Sequence, residues 1–247
     1  MRHREASICL RTYDWSETSQ VVCFLSRNQG LVRLLAKGSK RAKSKSGGTL
    51  DLLAEGDLVF TTKDQGLGTL IEFSESVTRK VLRRDPQRLY AALFCLEMVC
   101  QTLAEHDPHP EVFDLLHNAL GRLDNPDSPI QAVLAYFQWR LLRNLGLLGD
   151  LDSCVSCGGP VQAGATAFTS RMGGLLCRTC RSEAAEQVAV DPETRSGLEI
   201  LASAEAGRRS ELAEKTAEKL IRLLAYHVSQ QIGKPLKTAR YVLRWPL

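Results

Sequence analysis

The pattern of apolar and polar positions divides the chain into two parts. Short runs rich in Ile, Val and Leu, bounded by polar turns, fill the first 80 residues and predict β-strands. The longest gap between strands follows the third one and contains a possible helical turn at 50–55. Such an arrangement of five strands predicts a small Greek-key barrel of the OB type, although other five-stranded barrels fit the pattern too. The predicted strands are Ala6–Thr12, Gln20–Ser26, Leu31–Lys37, Asp57–Lys63 and Leu67–Val77.

From residue 85 onward, apolar residues recur at steps of three and four, which is the period of an α-helix. Helix starts are predicted where Asp or Ser precedes proline, since proline is favoured at the first helical position. Further helices are predicted to begin near Pro110 and to span 210–231. The apolar stripes on these helices predict core packing and no ligand site. The Asp-Pro and Ser-Pro starts are Asp85-Pro86, Ser128-Pro129 and Asp191-Pro192.

Four of the eight cysteines form two C-x2-C pairs, Cys154 with Cys157 and Cys177 with Cys180. Two such pairs brought together supply the four thiolates of a tetrahedral zinc site, which leaves no open position for catalysis. Two disulfides or a redox pair are the alternatives. A reducing compartment argues against disulfides, and the lack of a βαβ pattern argues against a redox pair. The pattern therefore predicts one structural Zn²⁺. The other cysteines lie in apolar stretches and are assigned no chemistry: Cys9, Cys23, Cys95 and Cys100.

Taken together, these patterns predict an α+β protein of several domains. An OB-fold nucleic-acid-binding domain is expected at 1–80 and the first part of a helical domain at 81–150. A four-cysteine zinc module is expected at 151–182, and the C-terminal part of the helical domain at 183–247.

Charge is distributed unevenly along the chain, whose formal net charge is +4. No acidic residue occurs between Glu17 and Asp51, so the basic residues there predict a surface that contacts a polyanion. A solvated loop is the alternative. Arg33 and Lys37 are expected on the third strand of the barrel. The adjoining loop would extend the surface through Lys40, Arg41, Lys43 and Lys45.

Two further segments bear on this surface. Tyr13 and Trp15 lie in the polar connection between the first two strands, where an exposed ring can stack on a base. The favoured alternative is that Trp15 plugs one end of the barrel. The basic tail 233–240 is either a second charged surface or, as favoured, a short solvated helix.

No signature of catalysis is found. The sequence holds no phosphate-binding loop, dinucleotide fingerprint or nucleophile elbow, and its five histidines show no triad or ligand spacing. With 44% hydrophobic and 24% charged residues, the composition is that of a globular protein. No apolar stretch has the length of a membrane helix or signal peptide. We therefore expect an intracellular protein that is not an enzyme.

Several segments resemble the bacterial RecO family of DNA repair proteins. They are LRTYDWSE at 10–17, AKGSKRAKS at 36–44, GLGTL at 66–70 and GKPLKT at 233–238. The resemblance extends over essentially the whole chain, and the AKG segment is its most specific part. Trp15 and Ser19 depart from it, since the family often has glycine and aspartate there. The cysteine quartet occurs in some members only, which favours a structural role for the metal.

The resemblance implies a cytoplasmic, nucleoid-associated recombination mediator of the RecF pathway. Such a protein binds single- and double-stranded DNA, anneals complementary strands and helps to load recombinase onto DNA coated by single-strand-binding protein. Its implied partners are RecR and the acidic C-terminal tail of single-strand-binding protein.

On this hypothesis Arg33, Lys37, Lys40 and Arg41 contact phosphates, and Lys43 and Lys45 assist. The alternative class is an RNA-binding or translation-associated factor, in which a barrel and a zinc knuckle also occur together. A third class is an interaction scaffold whose basic loop is incidental.

Overall fold

The first five strands of the computed structural model form a closed barrel. The model describes residues 1–41, 44, 48–63, 66–162, 164, 166–203 and 212–243. The order around the barrel is β1-β2-β3-β5-β4, with β3 and β5 parallel, and this confirms the predicted OB-type barrel. Each strand begins within four residues of its predicted start. The strands are β1 (Arg2–Asp14), β2 (Gln20–Ser26), β3 (Gly30–Ala36), β4 (Glu55–Thr61) and β5 (Gly68–Val77).

Strand β1 is long because it pairs with two neighbours. Its first half is antiparallel to β4, from Arg2 opposite Thr61 onward, and its second half is antiparallel to β2 as far as Asp14 opposite Gln20. The register shifts between Cys9 and Arg11, and a bulge of this kind bends a strand so that it can change partners. Buried side chains of every strand fill the interior: Cys9, Phe24, Leu34, Phe60 and Phe73 among them.

Two glycines allow the strands to approach closely where the barrel closes. A Cβ atom on Gly56 would lie 2.0 Å from the Ser74 carbonyl oxygen of β5, which pairs with β4. A Cβ on Gly68 would lie 2.4 Å from the Thr61 carbonyl oxygen and 2.7 Å from Leu34. Any larger residue at either position would have to separate neighbouring strands.

The predicted helical turn at 50–55 is wrong. The backbone there bonds to β1 instead, since the Leu53 amide donates to the Cys9 carbonyl at 3.0 Å and the Cys9 amide donates to the Ala54 carbonyl at 2.8 Å. Leu53 takes a positive φ of 69° to make this turn. Pairing with β1 thus satisfies the backbone groups that a helical turn would have satisfied internally.

One compact unit of the chain comprises Met1–Asp85 and Val99–Asp124. A buried ion pair lies within it, between Glu55 at the start of β4 and Arg79 after β5. His117 of helix α2 (Pro110–Leu123) also contacts this carboxylate, with Nδ1 2.5 Å from Oε1. Two partners offset the cost of burying the carboxylate, and removal of one partner from such a pair typically costs about 3–5 kcal/mol.

The second compact unit comprises Pro86–Met98 and Asn125–Leu247. In the chain as a whole, the helices at Pro86, Pro110 and Pro192 begin where they were predicted, and the one predicted at Ser128-Pro129 begins at Ile130. Helix α6 (Glu214–Ile232) is followed by Gly233, whose φ of 69° suits glycine at the end of a helix. No helix among the described ranges is long and apolar enough to cross a membrane. The remaining helices are α1 (Pro86–Thr102), α3 (Ile130–Asn144), α4 (Arg178–Glu183), α5 (Pro192–Ala202), α6 (Glu214–Ile232) and α7 (Ala239–Val242).

A small antiparallel sheet lies in the second unit, in the order β7-β6-β8. Its strands are β6 (Thr166–Thr169), β7 (Gly174–Leu176) and β8 (Val188–Val190). His227 of α6 is buried near this sheet, with its ring edge-on to Phe168 at 5.2 Å. Its Nε2 donates a hydrogen bond of 2.8 Å to the Leu147 carbonyl, whereas its buried Nδ1 has no protein partner among the described residues. Burial lowers the pKa of His227 below the ordinary value of 6.5, against smaller raising effects of the Leu147 carbonyl and Glu186.

We predict that His227 makes stability depend on pH. Because its pKa is lower in the folded chain, the unfolded chain binds the proton more tightly. The contribution of neutral His227 to the free energy of unfolding is complete above pH 6.5 and is lost as the pH falls below that value. Thermal unfolding at about pH 7.5 and at about pH 5.5 should show a smaller loss of stability for His227→Gln than for the wild type. An equal loss in both proteins would contradict this assignment.

Candidate nucleic-acid interface and metal centre

The predicted cationic residues lie along β3 and in the turn after it. Arg33 points outward from β3, because its neighbours Val32 and Leu34 point into the core. Lys37 and Arg41 are exposed, and Lys40 is partly buried in the same turn. Arg33 is thus the only one of the four on a strand, and Lys37, which was expected on the third strand, lies with Lys40 and Arg41 in the turn after it. Lys43 and Lys45 lie outside the described residues.

Two of these four cations are paired with carboxylates that the charge pattern did not reveal. Arg33 forms an ion pair with Glu105, which follows α1, and Lys40 Nζ lies 2.6 Å from Asp14 Oδ1 at the end of β1. Lys37 and Arg41 make no ion pair within the described part of the chain. The exposed surface is therefore less positive than its own segment of sequence indicates.

The prediction that Trp15 plugs the barrel is wrong. Its side chain is 65% exposed and that of Tyr13 is 54% exposed. The end of the barrel beside them is filled from another segment, because Leu50 is buried in the core and its amide donates to the Gln20 side chain at 3.0 Å. Ser39 also donates to this buried amide oxygen, again at 3.0 Å. With that end already closed, the indole lies in solvent.

A concave surface beside the two exposed aromatic residues includes Arg33, but not Lys37, Lys40 or Arg41. We call this cavity of about 690 Å³ the barrel groove. Sequence reasoning missed Lys63, an exposed residue in the connection between β4 and β5, because it was assigned to a strand. Its position between β4 and β5 could have identified it from the sequence, since OB barrels bind ligands with the loops that join β1 to β2 and β4 to β5. The groove is lined by Tyr13, Trp15, Val21, Arg33, Lys63, Gly66, Leu67, Glu105 and His106.

The four predicted metal ligands come together in the second unit. Their sulfur atoms all lie within 4.8 Å of one another, and Cys157 Sγ is 3.8 Å from Cys177 Sγ. A disulfide would require about 2.05 Å. A tetrahedral site with Zn–S bonds near 2.3 Å places its sulfurs about 3.8 Å apart. The geometry fits a four-coordinate metal ion.

Local backbone structure explains how each pair of sulfurs is aimed. Gly158 has a φ of 72°, and its amide donates to the Cys154 carbonyl at 2.8 Å, which closes the first turn. In the second pair, Cys177 precedes α4 and Cys180 lies in the first turn of that helix. The core around them is small, because Cys154, Ala167 and Leu176 are its only fully buried members in the described chain.

The acidities of these thiols also fit a metal site. Burial raises the pKa of Cys154, but the amides of Cys177, Cys157 and Ser156 lower it to about 6. Ser156 lowers the pKa of Cys180, but the neighbouring sulfurs raise it to about 12. One thiolate forms readily, and further negative charge in the cluster is unfavourable without a cation.

Comparison with known proteins agrees with this architecture. Residues 1–77 match the family model for the N-terminal domain of recombination protein O, and residues 83–240 match the model for its C-terminal domain. The DNA repair protein RecO of Rhodopirellula baltica is 33% identical over 80% of this chain and 74% of that protein.

Two other relatives are similar over nearly the whole chain. The DNA repair protein RecO of Myxococcus xanthus is 28% identical, with 98% of this chain and 97% of that protein covered. The DNA repair protein RecO of Bacillus subtilis is 26% identical, with 95% and 91% covered. From the two matched domains and these relatives, the chain belongs to the RecO family of DNA repair proteins.

Proposed function

We propose that this protein is a recombination mediator that binds single- and double-stranded DNA through its barrel. It would anneal complementary strands and help to load recombinase onto DNA coated by single-strand-binding protein. The observation that carries the proposal is the row of cations Arg33, Lys37, Lys40 and Arg41 on an OB-type barrel of this family. In this role the protein acts with chromosomal DNA in the cytoplasm.

The carboxylates beside two of these cations do not prevent binding. Exposed ion pairs contribute only about 0–1 kcal/mol, and both pairs have at least one largely exposed member. A DNA phosphate can therefore replace Glu105 at Arg33, or Asp14 at Lys40, at low cost. Each phosphate contact releases counterions and adds about −0.7 to the log–log salt slope for a single strand.

Annealing and loading require no covalent chemistry, and this agrees with the absence of catalytic signatures in the sequence. Two strands repel each other as polyanions, so a protein that neutralises phosphates lowers the barrier to their pairing. Phosphate contacts position a strand without reading its bases. We therefore expect annealing of complementary strands irrespective of their sequence.

Replacement of Lys37, Lys40 and Arg41 by alanine tests the cation row. We expect weaker binding of a single-stranded oligonucleotide, with a log–log salt slope shallower by about 2 because three phosphate contacts are lost. Fluorescence anisotropy between about 50 and 200 mM salt measures both quantities. An unchanged slope would overturn the assignment of these residues.

Glu105→Gln should change DNA affinity in the opposite direction, because it removes the carboxylate that pairs with Arg33. This variant should bind DNA more tightly than the wild type. Glu111→Gln is the matched control, since Glu111 contacts His109 and none of the four cations. Equal effects of the two changes would indicate a general charge effect rather than competition at Arg33.

Competition between RNA and DNA strands of equal length distinguishes the alternative function. A mediator of DNA repair should bind the two comparably or prefer DNA, because its contacts are to phosphates. A strong preference for RNA would favour an RNA-binding or translation-associated factor.

The four cysteines would hold one structural Zn²⁺. Four thiolates complete the coordination of the ion, so it has no position for water or substrate. Its contribution is stability, because the core of this segment is small and a bound metal offsets the repulsion among thiolates.

Cys154→Ser combined with Cys157→Ser tests the metal site. We expect about one zinc ion per wild-type chain by elemental analysis, none in the double variant, and faster proteolysis of the segment 151–182. Cys100→Ser, outside the cluster, should retain the metal. Wild-type protein purified without bound zinc would contradict the proposal.

RecR and the acidic C-terminal tail of single-strand-binding protein are the proposed partners. A cavity of about 400 Å³ in the second unit has suitable chemistry for such a tail. Its lining includes the apolar residues Leu236, Ala239 and Leu243 and the cations Arg222 and Lys234. An apolar lining with cations suits a peptide that carries both apolar side chains and carboxylates.

Lys234→Glu should weaken binding of an acidic tail peptide at least severalfold, as measured by anisotropy. Lys237→Glu is the matched control, because it makes the same charge change nearby but does not line the cavity. Equal weakening by both variants would contradict binding in this cavity.

A further inference from the structure

We propose that the barrel groove holds an unpaired nucleobase stacked on Trp15, and that this contact makes the barrel prefer single strands. The inference rests on the proposed function, since it adds a base contact to the phosphate contacts. Trp15 is singled out because an indole that is 65% exposed leaves a large apolar ring in water. Tyr13 lies beside it in the same groove and is 54% exposed.

The turn that carries Trp15 is anchored on both sides. The Trp15 amide donates to the Ser19 carbonyl at 3.0 Å, and the Gly38 amide donates to the Ser19 hydroxyl at 3.2 Å. We call the turn after β3 that carries Lys37, Lys40 and Arg41 the cationic turn, and from it the Lys40 amide donates to the Thr18 carbonyl at 3.1 Å. These bonds hold the aromatic and cationic turns together. The backbone that carries the ring is therefore ordered before a ligand binds, which lowers the entropic cost of binding.

The other residues of the groove suit a nucleotide. Val21 and Leu67 contribute apolar lining, and Arg33 and Lys63 bring positive charge from β3 and from the β4–β5 connection. Glu105, the ion-pair partner of Arg33, lines the groove as well, and a phosphate would have to displace it. A base would occupy the apolar part while its phosphate lies near a cation. The volume of about 690 Å³ is within the range of sites that enclose small molecules.

Stacking in this groove would discriminate between single and double strands. The bases of a duplex are stacked and paired, and extracting one costs a few kcal/mol. Unpaired bases require no such extraction. Phosphate contacts alone give no comparable preference, since both kinds of strand carry phosphates. A base contact at Trp15 therefore adds to the affinity for single strands and leaves duplex affinity unchanged.

A double-mutant cycle between the indole and the base tests this inference. The strands are an oligothymidylate and an abasic phosphodeoxyribose strand of equal length, bound by wild type, Trp15→Ala and Trp15→Phe. We expect the wild type to prefer the base-bearing strand by about tenfold, Trp15→Ala to lose that preference, and Trp15→Phe to retain most of it. Met172→Ala, which shortens an exposed apolar side chain in the second unit, should behave as wild type.

The possible outcomes separate the inference from the function on which it rests. If binding depends on salt but wild type and Trp15→Ala prefer the base-bearing strand equally, base stacking on Trp15 is contradicted. The proposed phosphate contacts are unaffected by that result. A loss of duplex affinity in Trp15→Ala equal to the loss for single strands would also overturn base stacking. If the wild type shows no salt-dependent binding of any strand, the proposed function itself fails.

Discussion

Closure of the barrel by β1 is the constraint on which the first unit depends. This strand pairs with β4 over its first half and with β2 over its second, so the sheet has no open edge there. The pairing registers then decide which loops meet. Asp14 lies opposite Gln20, and Gln20 lies opposite Ala36, so the β1–β2 turn and the cationic turn share one rim. The parallel pairing of Leu34 with Gly68 brings the β4–β5 connection near the same rim.

Electrostatics on this rim is a balance rather than a simple excess of positive charge. Asp14 and Glu105 are distant in sequence from the cations that they contact, yet closure and the segment after α1 place them within reach. Such exposed pairs are weak and screened by salt. In the proposed function they position Arg33 and Lys40 in the absence of DNA and would yield to phosphate when DNA binds. Lys37 and Arg41 add charge to the same surface.

Local pattern was enough to predict the five barrel strands and the cysteine cluster, because both follow from periods and spacings of a few residues, whereas the short strands β6, β7 and β8 were not predicted. Three features required the folded chain. The ion pair of Arg33 with Glu105 joins residues far apart in sequence. Exposure of Trp15 depends on Leu50 having filled the barrel end. The segment 50–55 pairs with β1 because a partner strand competes with its weak helical preference.

The two kinds of contact proposed for the barrel together explain how an annealing protein would release its product. Phosphate contacts hold single and double strands alike, so alone they would retain the duplex as firmly as its precursors. A base held against Trp15 must leave the groove before it can pair with a complementary strand. Pairing therefore removes one contribution to binding at the step where the duplex forms. In the proposed function, an exposed indole beside exchangeable ion pairs would let the protein hold separate strands more firmly than the duplex that they form.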